Sequence, residues 1–210
     1  MTLKQLDTSR GLYDPAYEHD ACGVGFVVDI KGRRSHKIVA QALTVLRNLM
    51  HRGACGCEEN TGDGAGILIQ LPHAFLERET GKLGIRLPKP GHYGTGLVFL
   101  PRAAAEASRC QDLFDKVVHE EGQQVLGWRD VPVDDSAIGP TARSAEPVFR
   151  QIFIGRASGV ADEQAFERKL YVIRKRVETA IWNSDINERA LFYIPSLSAR
   201  TLIYKGMLTP

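Results

Sequence analysis

The chain has 210 residues, enough for one domain with a substantial core, and its 43% hydrophobic and 25% charged residues are ordinary for a globular protein. Lys and Arg number 27 against 25 for Asp and Glu, so the net charge of +2 excludes the strong basic excess that marks a nucleic-acid or anionic-membrane partner. Small solutes and other proteins are the expected partners.

Residues 1–21 carry Lys4, Asp7, Arg10, Asp14, Glu18 and Asp20 and no continuous apolar run, which excludes a signal-peptide core or a membrane span there. The acids also argue against an organellar transit peptide. The expectation is a cytoplasmic, reducing compartment in which the four cysteines, Cys22, Cys55, Cys57 and Cys110, are thiols rather than disulfides.

From Gly23, the apolar Val24, Phe26, Val28 and Ile30 alternate with Gly25, Val27 and Asp29, the period-two pattern of a strand. Lys31-Gly32 then turns the chain. Ser35 is placed to cap a helix whose stripe is Val39, Leu43, Leu46 and Met50, with Ala42 and Leu49 beside it and Gly53 as its C-terminal cap. Ile67–Leu71 reads as a strand, Pro72 opens a short helix ending at Gly81, and Gly94–Leu100 reads as another strand. Pro101 suits the first turn of a longer helix with Cys110, Phe114 and Val117 on one face and Gly122 at its end.

Gln123–Asp134 reads as a strand running into an irregular Gly/Pro loop that lasts to about Pro147, and "VFRQIFI" resumes the sheet. Asp162 and Glu163 suit the start of a helix to about Trp182, with Phe166, Leu170, Ile173, Val177 and Ile181 as its buried stripe. Its basic residues Arg168, Lys169, Arg174, Lys175 and Arg176 are read as a solvated face rather than a docking patch. "RALFYIP" and "RTLIYKG" read as two closing strands joined by a Ser-containing turn. Alternating strands and helices taken alone favour a parallel α/β sheet, but the half-polar strands weigh against burial on both faces, and pattern leaves the architecture open.

Three stretches could carry chemistry. "TGDGAG" (Thr61–Gly66) resembles a phosphate loop, but it leads into the strand "ILIQL" and lacks the Lys that such a loop carries, so it reads as a tight turn or a backbone wall beside a substrate. "HRGACGC" (His51–Cys57) offers one His and two thiols, yet Cys-x-Cys without a second pair is a weak zinc signal. His73, His92 and His119 show no ligand spacing and are read as surface or capping residues. Cys22, alone beside a strand, reads on its own as a small core hydrophobe.

Resemblance changes that last reading. "YEHDACGVGFVVD", "LMHRGACGCEENTGDGAGILIQLP", "LGWRDVPVD" and "LFYIPSLSARTLIYKGMLTP" closely resemble the start of glutamate synthase large chains, whose first domain is a class II glutamine amidotransferase. The likeness spans Tyr13–Pro210. It implies an α+β fold of the N-terminal nucleophile hydrolase type, a four-layer αββα sandwich, incomplete here, with residues 1–21 a propeptide and 22–210 the N-terminal portion of the amidotransferase domain.

It further implies that removal of residues 1–21 frees the α-amine of Cys22, whose pKa of about 7.7–8.0 beside a thiol of about 8.5 lets one residue act as nucleophile and base. The substrate implied is L-glutamine, with Arg52 and Asp63 as substrate-binding residues; Arg52 reads equally well as a structural ion-pair partner. For the complete enzyme the resemblance implies FMN and an iron–sulfur cluster, none of it in this segment, and a small NAD(P)H-oxidising subunit or ferredoxin as electron donor. No nucleic acid and no membrane are expected.

The family's Asn-Gly oxyanion pair and carboxylate-binding Arg follow "YKGMLTP", and this chain contains no Asn-Gly. The chain is therefore expected to be a fragment or truncated product that is inactive or poorly active alone. The rival expectation is a non-catalytic binding module, a metal or redox sensor using Cys55 and Cys57.

Overall fold

The computed structural model describes residues 23–49 and 64–207, which belong to two compact units divided between Gly53 and Ala54. In the first, Ser35 has extended backbone and its hydroxyl accepts from the Lys37 amide at 3.1 Å, satisfying one orphan donor of helix α1 (His36–Asn48) as its sequence requires. The turn before it also forms: Asp29 accepts from the Lys31 amide at 2.8 Å, and Gly32 takes φ +67°. Met50 and Gly53 lie outside the described residues.

The expected strand from Gly23 is corrected. No described segment pairs with residues 23–30, and Val24, Phe26, Val28 and Ile30 are 87%, 88%, 69% and 99% exposed. A period-two pattern specifies an apolar face, but a strand also needs a ladder partner for its amides, and the pattern does not say where that partner lies.

The second unit holds the remaining elements: β1 (Gly64–Gln70), α2 (His73–Gly81), β2 (Tyr93–Leu100), α3 (Ala104–Glu120), β3 (Gln124–Asp130), α4 (Pro140–Ser144), β4 (Val148–Gly155), α5 (Glu163–Trp182), a 3₁₀ turn at Arg189–Leu191 and β5 (Thr201–Met207). Its sheets are small and every ladder is antiparallel: β4 lies between β2 and β3, and β1 pairs with β5. The parallel arrangement suggested by alternation is thus not the one adopted. The described chain is mixed α and β.

Helices α3 and α5 cover one face of the three-stranded sheet. Cys110, Phe114, Val117 and Val118 from α3, and Phe166, Leu170, Ile173, Val177 and Ile181 from α5, pack with Val98, Leu100, Ile152 and Ile154 in one core. The stripe expected for α5 is buried in full. Asp162 caps that helix by accepting from the Ala165 amide at 2.6 Å, and Gly122, at φ +71°, follows α3 in the left-handed conformation that such an ending needs. The basic residues of α5 are largely paired: Lys169 and Arg176 meet Glu121 at 2.8 and 2.7 Å, and Arg174 and Lys175 meet Glu178 at 2.8 and 2.7 Å. That agrees with a solvated face, where each such pair adds little stability.

Three boundaries differ from expectation. Pro101 precedes α3 rather than entering its first turn, since the helix begins at Ala104 behind an Ala103 cap. The loop to Pro147 contains α4, started by Pro140 at a position where proline's missing N–H is harmless. "RALFYIP" is no strand: it forms the 3₁₀ turn and then touches β2 only through bridges at Phe99–Tyr193 and Thr95–Ser198. Backbone pairing there is local because Glu188 enters the segment at φ +57°, held by Arg102.

Cys110 is fully buried, and burial pushes its thiol up to about 11. A group whose pKa is raised on folding contributes stability that is complete below its unfolded value of 9.0 and lost as pH rises through the folded one. Unfolding free energy should therefore fall between pH 9 and 11 by on the order of 2 kcal/mol more in the parent than in Cys110→Ala. Denaturant melts of both across that range check this, and parallel curves would contradict it.

Candidate functional site

The residues for which the sequence suggests chemistry, Cys22, Arg52 and Asp63, lie outside the described residues, as do His51, Cys55 and Cys57. What can be built is the scaffold that flanks them in the chain. Directly after Cys22, Gly25 runs against α1: a Cβ there would stand 2.4 Å from Val45 Cγ1, so only glycine permits this approach. The segment leaving Cys22 is thereby seated on the C-terminal half of α1.

On the other flank, Asp63 is followed by Gly64, the first residue of β1. The expectation that "TGDGAG" leads into a strand holds, but Gly64–Gly66 belong to that strand rather than to a turn. Gly66 faces the β5 backbone so closely that a Cβ would lie 2.9 Å from the Tyr204 carbonyl oxygen. Gly64 pairs with Met207, Ile67 with Tyr204 and Gln70 with Thr201, giving an antiparallel ribbon that leads away from Asp63.

The face of the three-stranded sheet opposite the helices carries a buried polar network. Arg129 of β3 donates through Nη1 to Gln151 Oε1 at 3.1 Å; Gln151 Nε2 donates to Thr95 Oγ1 at 3.1 Å; and the Thr95 hydroxyl donates to the Ile152 carbonyl at 2.6 Å. The Arg129 Cζ also lies 5.9 Å from the Phe75 ring. Burial raises the pKa of Tyr204 on β5, and the charge of Arg129 opposes that rise. Sequence reading gave Arg129 no role, although a charge at an alternate position in "VLGWRD" was a visible signal that one strand face is not plain core.

The three histidines read as surface or capping residues fall within the described residues. His73 Nδ1 and the buried Tyr93 hydroxyl share a hydrogen bond of 3.0 Å. His92 packs beside Arg156, and burial, then the charges of Arg156 and Lys89, hold its pKa below the ordinary value. His119 sits in the last turn of α3, where a histidine suits the helix end. A shallow trough of about 450 Å³ on α5 is lined by residues such as Trp182 and Phe192, and its Lys175 and Glu178 are already paired. Among the described residues no three His, Cys, Asp or Glu side chains converge. No described helix is long and apolar enough to cross a membrane.

The chain belongs to the class II glutamine amidotransferases: the family model "Glutamine amidotransferases class-II" matches residues 22–210. It is similar across all of its length to the glutamate synthase [NADPH] large chain of Bacillus subtilis, at 45% identity over 210 residues, and it spans 13% of that relative. It is 42% identical to the glutamate synthase [NADH] of Schizosaccharomyces pombe over 98% of this chain and 10% of the relative. With a chloroplastic ferredoxin-dependent glutamate synthase of Arabidopsis thaliana the identity is 37%, over 94% of this chain and 12% of the relative. The chain thus spans roughly an eighth of the length of such relatives.

The close approach at Gly66 makes a prediction. Gly66→Ala forces the ribbon to shift against the rigid Tyr204 carbonyl and should destabilise the protein by about 1–3 kcal/mol. The denaturation midpoint of the parent and variant measures it; an unchanged midpoint would mean that β1 and β5 do not approach this closely.

Proposed function

We propose that the chain is the glutaminase portion of a glutamate synthase, in which Cys22 liberates ammonia from L-glutamine. The observation that carries this reading is that the family match begins at Cys22 and extends over residues 22–210. Residues 1–21 are then a propeptide. Their removal converts the Cys22 nitrogen from an amide of no useful basicity into an α-amine that accepts the thiol proton.

The sulfur attacks the side-chain carboxamide carbon of glutamine, giving a tetrahedral oxyanion. Collapse of that intermediate breaks the C–N bond, the α-ammonium returns its proton to the departing nitrogen, and a thioester and ammonia result. Water then attacks the thioester, the amine takes its proton, and glutamate leaves as the thiol is restored. Arg52 and Asp63 are the residues proposed to hold the substrate.

In the complete enzyme the ammonia meets 2-oxoglutarate and the product is reduced to glutamate. FMN and an iron–sulfur cluster supply the electrons there, drawn from a small NAD(P)H-oxidising subunit or ferredoxin; two of the relatives are named as NADPH- and ferredoxin-dependent enzymes. This redox chemistry is assigned to the rest of the large chain. The fold proposed for the domain is the αββα sandwich, of which α3 and α5 over the β2–β4–β3 sheet form one helical and one sheet layer. The compartment proposed is the cytoplasm. The family match disfavours a sensor built on Cys55 and Cys57.

Two outcomes follow. Intact mass of the active, full-length protein should correspond to a chain starting at Cys22, and an active protein that keeps Met1–Ala21 would contradict the mechanism. Cys22→Ala should lower glutamine-dependent synthesis by at least about a thousandfold while leaving synthesis from added ammonia, because the sulfur is needed only to release nitrogen. Equal loss of both rates would assign Cys22 a structural role.

A further inference from the structure

The outer side of α5 carries more apolar surface than a solvated helix face needs. Phe166, Leu170, Ile173, Val177 and Ile181 bury one side of the helix. At about 3.6 residues per turn, the opposite side presents Arg168, Tyr171, Val172, Lys175, Thr179 and Trp182 as one stripe about 21 Å long. Tyr171, Val172 and Trp182 are 59%, 39% and 65% exposed. Trp182 lines the trough of about 450 Å³ together with Ile181 and Phe192, and a second trough of about 360 Å³ shares Lys175 and Thr179 with it. The apolar surface is therefore continuous along the helix rather than scattered.

The charge of this stripe is one-sided. Lys169 and Arg176 are neutralised by Glu120 and Glu121 at the seam with α3, and the solvated-face reading holds there. Farther out, Arg168 meets no carboxylate among the described residues. Arg189 lies 5.9 Å from the Trp182 ring and donates to the Ser184 carbonyl at 3.3 Å, again without a carboxylate among the described residues. Arg174 and Lys175 share Glu178, the one carboxylate that lines either trough. Exposed aromatic rings bordered by cations in excess are the composition of an interface anchor, and the charge they complement is negative.

Magnitude decides what covers the stripe. Its three apolar side chains expose on the order of 300 Å², against about 800 Å² per partner in a stable complex of separate proteins. A domain on the same polypeptide is held at high effective concentration, so a contact of this size suffices for it. The chain spans roughly an eighth of the length of its relatives, which leaves ample chain for such a domain. A second copy docked about a twofold axis would instead set Arg168, Lys175 and Arg189 against themselves.

We infer that the outward stripe of α5 is the docking surface for another domain of the same large chain, one that presents carboxylates to Arg168, Lys175 and Arg189 and apolar surface to Tyr171 and Trp182. The inference rests on the proposal that this chain is one portion of a glutamate synthase large chain. Trp182 anchors the contact, and the cations fix its register.

The test uses the full-length protein. Zero-length coupling of amines to carboxylates, followed by peptide mapping, should join Lys175 to an Asp or Glu outside residues 1–210. A mixture of isotopically light and heavy protein should show that both ends of the link belong to one chain. Hydroxyl-radical footprinting reads the anchor: Trp182 should be oxidised about fivefold faster in the double variant Arg168→Glu, Lys175→Glu than in the parent, because the reversed charges repel an acidic partner. Trp128, packed edge-on against Phe114, should keep its parent rate and so report that the unit stays folded. Equal oxidation of Trp182 in parent and variant, coupling of Lys175 only to carboxylates within residues 1–210, or coupling between different chains would each overturn the inference. Failure of the underlying reading is seen separately, as glutamine-dependent activity that survives Cys22→Ala.

Discussion

Packing of α3 and α5 against one face of the β2–β4–β3 sheet is the constraint on which the rest of the second unit depends. Strand side chains alternate between faces, so once Val98, Leu100, Ile152 and Ile154 are committed to the helices, Thr95, Leu97, Gln151 and Phe153 must point the other way. A one-residue slip of β4 would bring Gln151 and Phe153 to the helical face, which is why its register against both neighbours is fixed. At the C-terminal end of α3, Lys169 and Arg176 of α5 meet Glu121, whose carboxyl they hold below the usual range. These charges at the edge of the core trim the packing rather than cause it.

The opposite face is then the place where polar side chains have to be accommodated. Gln151 is fully buried, and its amide avoids a desolvation penalty only because Arg129 donates to its oxygen and Thr95 accepts from its nitrogen. β5 packs beside β2 and in turn carries β1, the strand that follows Asp63. On the other flank, the segment after Cys22 is seated on α1 through Gly25. The two flanks share one device, a glycine where a side chain would collide with a packed neighbour.

Much of this was legible from pattern. The α5 stripe, the Ser35 cap, the Gly122 ending and the strands β2, β4 and β5 follow from periodicity and cap chemistry, because those signals are local. Signals that depend on distant partners were not. Residues 23–30 have the alternation of a strand but no described ladder; "RALFYIP" has strand composition, yet it turns at Glu188 and bridges β2 at two points only. Arg129 was part of the "LGWRDVPVD" resemblance, but its hydrogen-bond partner Gln151 comes from β4, 22 positions later in the chain, and no local rule connects them. The chemistry proposed for Cys22, Arg52 and Asp63 came from resemblance, and the family match over 22–210 shows the family alone.

The central claim is that one thiol of the four in this chain meets glutamine. Its most direct test is covalent labelling of the full-length protein with a glutamine-shaped electrophile, followed by peptide mapping of the modified cysteine. Cys110 is buried with a raised pKa and should stay unmodified in the folded protein. The account predicts one label per chain, on Cys22, blocked by L-glutamine. A label on Cys55 or Cys57 that glutamine blocks while Cys22 stays free would contradict it.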